Sequence, residues 1–308
     1  MDNKIVVIGS SNTDMIVQTP HIPRPGETIL GGTFNTAAGG KGANQAVACA
    51  RAGGKVTFIA RVGNDIFGEQ ALQGFQREGI NVDFVTKDEN APSGVALIIV
   101  DEQGENSIAV ASGANINLSA SDVQGAAEVI QSAGLVLMQL EIPLETIAAA
   151  SNLATENNVP VILNPAPAQS LSDALLQNIT ILTPNETEAE MLTGIGVQNE
   201  ADAHKAAQAL HDKGVTTVII TLGAAGAYVL GNEFQGLIPG FQVDPVDTTA
   251  AGDTFNGTLA VALVEGMPLD EAVAFANAAA ALSVTMLGAQ PSAPHRKTIE
   301  QFLKESKC

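Results

Sequence analysis

Runs of β-branched and aliphatic residues recur along this chain, separated by stretches with helical periodicity. "KIVVIG" from Lys4, "VTFIARVG" from Val56, "LVLMQLE" from Leu135, "VPVILNP" from Val159, "ITILTPN" from Ile179 and "VTTVIITLG" from Val215 have the continuous apolar character of strands covered on both faces. Each leads into a loop of polar or small residues. Helical patterns lie near 42–52, 66–78, 119–132, 143–156, 200–213, 252–266, 268–286 and 296–305. This alternation predicts an α/β fold, a mostly parallel sheet with helices on both faces. Its chemistry is expected at the carboxyl ends of the strands, where the loops converge.

Two regions break the alternation. Residues 12–36 contain "DMIVQTPHIPRPGETILGGTF", and residues 91–112 contain "APSGVALIIVDEQGENSIAVAS", whose central "DEQGEN" makes a turn between alternating strands. Both read as strands outside the main sheet, and a small β-sheet built from them would cover the active cleft as a lid. No repeat, low-complexity tract or Pro/Ser-rich linker divides the chain. Residues 1–308 are therefore expected to form a single domain carrying these lid segments.

Charge narrows the partners. Thirty-three acids against 14 bases leave a formal charge of -19, which repels nucleic acid and anionic membrane surfaces. A polyphosphate ligand would need a divalent cation or a local pocket of N–H donors. Cys49 and Cys308 are the only cysteines, too few for a disulfide framework or a thiolate zinc site, which fits a reducing cytoplasm. His21, His204, His211 and His295 show no metal spacing. "IVVIG" is too short for a signal-peptide core, and "FANAAAALSVTMLGA" is interrupted by Asn277 and Ser283, so neither export nor a membrane span is expected.

Several motifs admit two readings. In "AAGGKGANQAVACARAG", Gly39, Gly40 and Gly42 precede a helix, but the spacing fits neither a Walker loop nor a dinucleotide fingerprint. The segment is either a tight strand-to-helix connection or a bare loop that a small polar ligand approaches, with Asn44 supplying a donor and an acceptor. Asn12 and Asp14, in "GSSNTDM" after the first strand, lie at the carboxyl end of a buried strand. They either close a turn or bind ligand, and a carboxylate such as Asp14 suits a vicinal diol. In "LTPNETEAEML", Asn185 either caps a helix whose first turns carry Glu186, Glu188 and Glu190, or precedes an acid that holds the water shell of Mg²⁺. "DTTAAGDTFNG", from Asp247 to Gly257, has the small residues of a phosphate cradle at a helix start, yet Asp253 stands at its mouth.

Taken in order, "GGKGANQAV", "MQLE", "NPAPA", "TPNETEAE", "TLGAAGAYV" and "DTTAAGDTFNG" span nearly the whole chain and resemble the ribokinase family of carbohydrate kinases. The resemblance implies a three-layer α/β/α sandwich with a small β-sheet lid that also forms a homodimer contact. The implied activity is phosphorylation of D-ribose at its 5-hydroxyl by Mg-ATP. Asn12, Asp14, Gly40, Lys41, Gly42, Ala43, Asn44 and Glu141 correspond to the sugar site. Asn185, the turn Thr221, Leu222, Gly223, Ala224, Ala225 and Gly226, and Asn277, at a position where His is also common, correspond to ATP contacts. Glu188 corresponds to the acid linked to Mg²⁺. Asp253 corresponds to the catalytic base, beside an anion hole of the backbone N–H groups of Ala250, Ala251, Gly252 and Asp253. A monovalent activator, K⁺, is implied beside Asp247, Thr249, Ser283, Met286, Gly288 and Ser292, mostly through backbone carbonyls. The rival readings are a kinase for another sugar or a nucleoside, and a sugar-binding protein on the same fold that has lost catalysis.

Overall fold

The computed structural model describes residues 4–306; Cys308 lies outside the described residues. The predicted strands form as β1 (Lys4–Ile8), β4 (Lys55–Gly63), β8 (Leu135–Met138), β9 (Val161–Leu163), β10 (Ile181–Leu182) and β11 (Thr217–Thr221). They belong to a nine-stranded sheet, completed by β5 (Asn81–Asp88), β12 (Gly226–Leu230) and β13 (Gln235–Pro239), in the order β13-β12-β11-β10-β9-β8-β1-β4-β5. From β5 to β11 neighbouring strands are parallel, whereas β12 and β13 add antiparallel at one edge. The last two strands and β5 escape the apolar-run criterion. β5 alternates in burial, and β13 is mostly exposed.

Period-two alternation splits each central strand between two cores. Ile5, Val7, Leu135, Leu137 and Ile219 pack beneath the helices Lys41–Arg51, Ala251–Val264 and Leu269–Ser283. Val6, Ile8, Val136, Met138 and Val218 face the helices Leu144–Glu156 and Glu200–Asp212 on the other side. The observed architecture is the three-layer α/β/α sandwich. The helix expected over 119–132 is interrupted at Ala126, giving Ala120–Gly125 and Ala127–Gln131, and the one expected to 286 stops at Ser283.

A second, four-stranded sheet stands apart, in the order β3 (Thr33–Gly39), β2 (Asn12–Gln18), β6 (Gly94–Val100), β7 (Asn106–Ala111). β3 extends beyond the expected limit at 36 and ends at the turn into the helix Lys41–Arg51. The edge strand β7 is exposed along its whole length. Among the described residues no helix is long and apolar enough to cross a membrane.

In the main sheet the chain runs outward from β1 in both directions, through β4 and β5 on one side and through β8 to β11 on the other. The gap between β1 and β8 is a topological switch point, where ligands of parallel α/β sheets bind. Two helices close over it. At their crossing, a Cβ on Gly257 would stand 2.7 Å from both Ala48 Cβ and the Gln45 carbonyl oxygen, and the Cys49 thiol donates to the Gly257 carbonyl at 3.2 Å. Gly257→Ala must therefore push the helices apart and is expected to destabilise the protein by about 1–3 kcal/mol in urea denaturation. An unchanged midpoint would show that the crossing has slack.

Candidate active site

Asp253 lies in the first turn of the helix Ala251–Val264 and is 5% exposed. Its carboxylate does not cap its own helix; instead it accepts from two amide side chains of the facing helix. Asn44 Nδ2 donates to Oδ2 at 3.0 Å and Gln45 Nε2 to Oδ1 at 2.9 Å. Burial pushes the Asp253 carboxyl above its ordinary range, while Lys41 and the two amides oppose the rise and Glu141 adds to it.

The turn before it explains how an acid and an anion hole coexist. Ala250 adopts the left-handed conformation, with φ of 58°, a strained choice for a residue with a Cβ that recurs at functional turns. The Ala251 amide makes only a 3.3 Å bond to the Thr248 carbonyl, and the next helical bond runs from the Thr254 amide to the Ala250 carbonyl. The amides of Gly252 and Asp253 have no protein acceptor among the described residues. They open, with Ala250 and Ala251, into a cavity of about 200 Å³ that is also lined by Lys41, Asn185, Glu188 and Thr221. Free N–H groups at a helix start attract an anion. The backbone and the side chain of Asp253 thus serve different directions.

On the other side of Asp253 lies a polar cluster. Gly40, with φ of 88°, turns the chain from β3 into its helix, and a Cβ there would overlap the backbone of Ser11 and Asn12. The tight-connection reading of this motif is therefore correct for Gly40, and it brings the loop against the end of β1. Glu141, which follows β8, fastens that loop: its Oε2 accepts from Ser10 Oγ at 2.5 Å and from the Lys41 amide at 2.9 Å. The Gly42 amide reaches Ser10 Oγ at 3.3 Å, and the Ala43 amide donates to the Ser10 carbonyl at 2.8 Å. Asn12 and Asp14 enter from β2. Burial, with Glu141 and Asp253 nearby, raises the Asp14 carboxyl from 3.8 to about 6. Asn44 Oδ1 is buried without a hydrogen-bond partner, an unused acceptor on the residue that holds the Asp253 carboxylate.

Lys41 sits among these acids. Burial lowers its affinity for a proton, but Asp253, Glu141 and Glu188 together hold it above its ordinary range, so it stays an ammonium. Asn185 is a helix cap, as one of its two readings had it: its Oδ1 accepts from the Glu188 amide at 2.8 Å, and Glu188 Oε2 accepts from the Asn185 amide at 2.9 Å. The Glu188 Oε1 atom accepts no protein hydrogen bond among the described residues. Burial raises the Glu188 carboxyl, and the Asn185 amide and Lys41 oppose this.

A mostly apolar cavity of about 330 Å³ adjoins the helix start. Thr221, Gly223, Ala224, Gly226 and Asn277 line it, whereas Leu222 and Ala225 do not. Leu222 packs against the core, and the Ala225 amide and carbonyl bond to Leu222 and Gly240. The Asn277 amide is spent on the carbonyls of Ile238 and Pro239, at 3.2 and 3.3 Å. Sequence motifs missed most of the wall, including Phe241, Val243, Pro245 and Val284, because a flat apolar slot needs only bulk and no fixed spacing.

Beyond this cavity, Asp247 joins two loops. Its Oδ1 accepts from the Thr249 amide at 2.9 Å and its Oδ2 from the Gly288 amide at 2.8 Å. Although burial raises the Asp247 carboxyl, these bonds hold it below its ordinary range. The hydroxyls of Ser283 and Ser292 bond to the carbonyls of Ala280 and Ala289, and Met286 is exposed. No group of three or more His, Cys, Asp and Glu side chains suited to a metal ion occurs among the described residues.

The pfkB family carbohydrate kinase model matches residues 2–296. The ribokinase of Haemophilus influenzae is 48% identical over 306 residues, 99% of this chain and 100% of its own. A crystal structure of ribokinase from Thermotoga maritima superposes with a TM-score of 0.90 at 40% identity, covering 97% of this chain and 99% of its own. The Arabidopsis thaliana ribokinase complexed with ribose and ATP gives 0.90 at 38% identity, covering 99% of both chains. With a buried carboxylate facing a polar cluster on one side and open helix-start amides on the other, this chain belongs to the pfkB family of carbohydrate kinases.

Proposed function

We propose that this protein transfers the γ-phosphoryl group of ATP to the 5-hydroxyl of D-ribose, giving D-ribose 5-phosphate and ADP. The observation that carries this reading is the division at Asp253: a carboxylate turned to a polar cluster, and partnerless backbone amides turned to the phosphate-sized cavity. The similarity to a ribokinase that binds ribose and ATP supports both substrates.

In this reading, ribose lies among Asn12, Asp14, Glu141, Asn44 and Asp253. The ionised Asp14 accepts from vicinal hydroxyls, and the orphaned Asn44 Oδ1 takes a further hydroxyl proton. Adenine occupies the apolar slot lined by Phe255, Ala280 and Val284. Asp253 accepts the proton of the attacking hydroxyl. The amides of Ala250 to Asp253 and the Lys41 ammonium stabilise charge on the transferring group, whose displacement needs positioning and electrostatics rather than a covalent enzyme intermediate. Glu188, with one carboxylate oxygen open in the same cavity, fits Mg²⁺, which keeps most of its waters and takes few protein ligands. When bound, Mg²⁺ supplies neutralisation of the phosphate charge. The K⁺ site of this reading lies between the two loops that Asp247 ties together, beside the reaction site rather than in it.

The four-stranded sheet acts as a lid that excludes water from the transfer. Its exposed apolar side chains, Phe34 at 60%, Leu97 at 54% and Ile108 at 55%, support a homodimer formed through the lid. ATP as donor and a buried free thiol at Cys49 support a cytoplasmic location. A coupled ADP-release assay over ribose, deoxyribose, fructose and adenosine, with and without K⁺, tests the reading. Release with ribose well above the others is expected, adenosine or fructose as the best acceptor would overturn the sugar assignment, and no release with any would favour a binding protein.

Two variants probe the acids. Asp253→Asn is expected to lower kcat by roughly 10²- to 10⁴-fold with ribose affinity largely intact; near wild-type turnover would remove the base role. Asp14, raised from 3.8 to about 6, must ionise to accept hydroxyls, so ribose binding should weaken as pH falls through about 6. The same raised value means the ligand-free fold bears the cost of the ionised group above about 6 and is relieved of it below about 4. Asp14→Asn should therefore stabilise the ligand-free protein at pH 8 by about 1–2 kcal/mol, with the gain gone near pH 4. Thermal melts that show no gain at pH 8 would contradict this.

A further inference from the structure

Behind Asp253 runs a buried chain of side-chain amides; Asn164 at one end also lines the cavity at the helix start, whereas Gln45 and Gln139 line none of the cavities described above. Gln45 is fully buried, as is Gln139, and Asn164 is nearly so. Gln45 Nε2 donates to Asp253 Oδ1 at 2.9 Å and to Asn164 Oδ1 at 3.1 Å, while Gln45 Oε1 accepts from Gln139 Nε2 at 2.5 Å. Asn164 is itself oriented, because its Nδ2 donates to the Thr183 carbonyl at 3.1 Å. Every hydrogen-bonding position of Gln45 that these partners define would be wrong if the amide were turned over. A flip would set its carbonyl oxygen against two acceptors and its N–H groups against a donor.

We propose that Gln45 is a positioning residue for phosphoryl transfer: its Nε2 fixes one oxygen of Asp253 and leaves the other, Oδ2, beside Asn44 and facing the sugar. The assignment rests on Asp253 being the base. The geometry separates the two amides. Asn44 shares the ligand side with its orphaned Oδ1. Gln45 touches no open space and acts only through Asp253. It comes from one turn of the helix Lys41–Arg51, whereas its three partners come from the helix Ala251–Val264 and from the ends of β8 and β9. The carboxylate is thereby registered against the strand ends, not merely against its neighbour helix. A buried carboxylate that loses one of its donors binds a proton more tightly and gains freedom to rotate about its Cβ–Cγ bond. The charged groups facing Asp253 are Lys41 from its own loop and helix, Glu141 from the end of β8, Asp14 from β2 and Glu188 from the helix Glu186–Thr193. None of them contacts Gln45 by a hydrogen bond, so their influence remains when Gln45 is changed.

The test is the pH dependence of kcat with saturating ribose and Mg-ATP for Gln45→Met, which keeps the shape and deletes the donor. Gln45→Leu stands in if that variant does not fold, and circular-dichroism melts are recorded for each. Gln139→Met is the control, since it removes a buried hydrogen bond from the same chain while leaving both donors to Asp253. Because the reaction needs Asp253 ionised, a raised carboxyl delays activity to higher pH. The acidic limb should move up by about one pH unit in the Gln45 variant, and kcat at its plateau should fall about 10- to 100-fold, losses expected for one hydrogen bond to a charged group. The KM for ribose should change less than about threefold, and Gln139→Met should leave the limb in place. An unmoved limb in the folded Gln45 variant, or an equal movement in Gln139→Met, overturns the assignment. Failure of both Gln45 variants to fold while Gln139→Met folds also overturns it, because the contact would then serve the fold. Asp253→Asn, measured alongside, tells the two readings apart: lost turnover with an unmoved limb sinks the Gln45 role alone, and retained turnover sinks the base role with it.

Discussion

Seating a carboxylate where water is almost excluded is the constraint that shapes this molecule. Asp253 is 5% exposed, and isolated burial of such a charge would drive it to take up a proton. Three devices oppose that outcome: the amides of Asn44 and Gln45 and the ammonium of Lys41, all from one helix and the loop before it. Those devices work only if the helices Lys41–Arg51 and Ala251–Val264 lie in contact. The crossing needs a residue without a side chain, and Gly257 supplies it. A packing requirement in the core and an electrostatic requirement in the site are thus met by the same pair of helices.

The acid cluster extends the same tension. Glu141, Asp253 and Glu188 are gathered around a single lysine, with Asp14 beside Glu141 and Asp253, in a chain that already carries a formal charge of -19. The arrangement costs stability in the ligand-free protein, which is typical of sites whose groups are selected to meet a ligand rather than each other. Several of these acids have one oxygen tied to the backbone. Glu141 secures the loop at Ser10 and Lys41, and Glu188 secures the Asn185 cap, so each carboxylate serves the local fold and also contributes to the field of the site.

Much of this was legible in the residue order. The alternating apolar runs marked the central strands, and the breaks at 12–36 and 91–112 marked the second sheet, because burial on two faces and burial on one leave different periods in a sequence. "NETE" was readable as an Asn-capped helix start, and "AAGD" as a helix start with the small residues of a phosphate cradle. What escaped was of another kind. Gln45, Gln139 and Asn164 lie far apart in sequence and carry no motif of their own; nothing about a glutamine states which acceptor it will meet. The apolar wall of Phe241, Val243, Pro245 and Val284 was equally silent.

The sequence by itself determined the α/β class and the position of Asp253 at the start of a helix, after a turn of small residues. These depend on local periodicity and on short-range backbone geometry, which neighbouring residues encode. Only the tertiary structure decided which way the Asp253 carboxylate faces and which donors hold it. It also showed that Asn277 spends its amide on the carbonyls of Ile238 and Pro239, and that burial and neighbouring acids raise the Asp14 carboxyl to about 6. Those properties arise from burial and from groups brought together from separate parts of the chain, and a sum over distant partners is written in no single stretch of it.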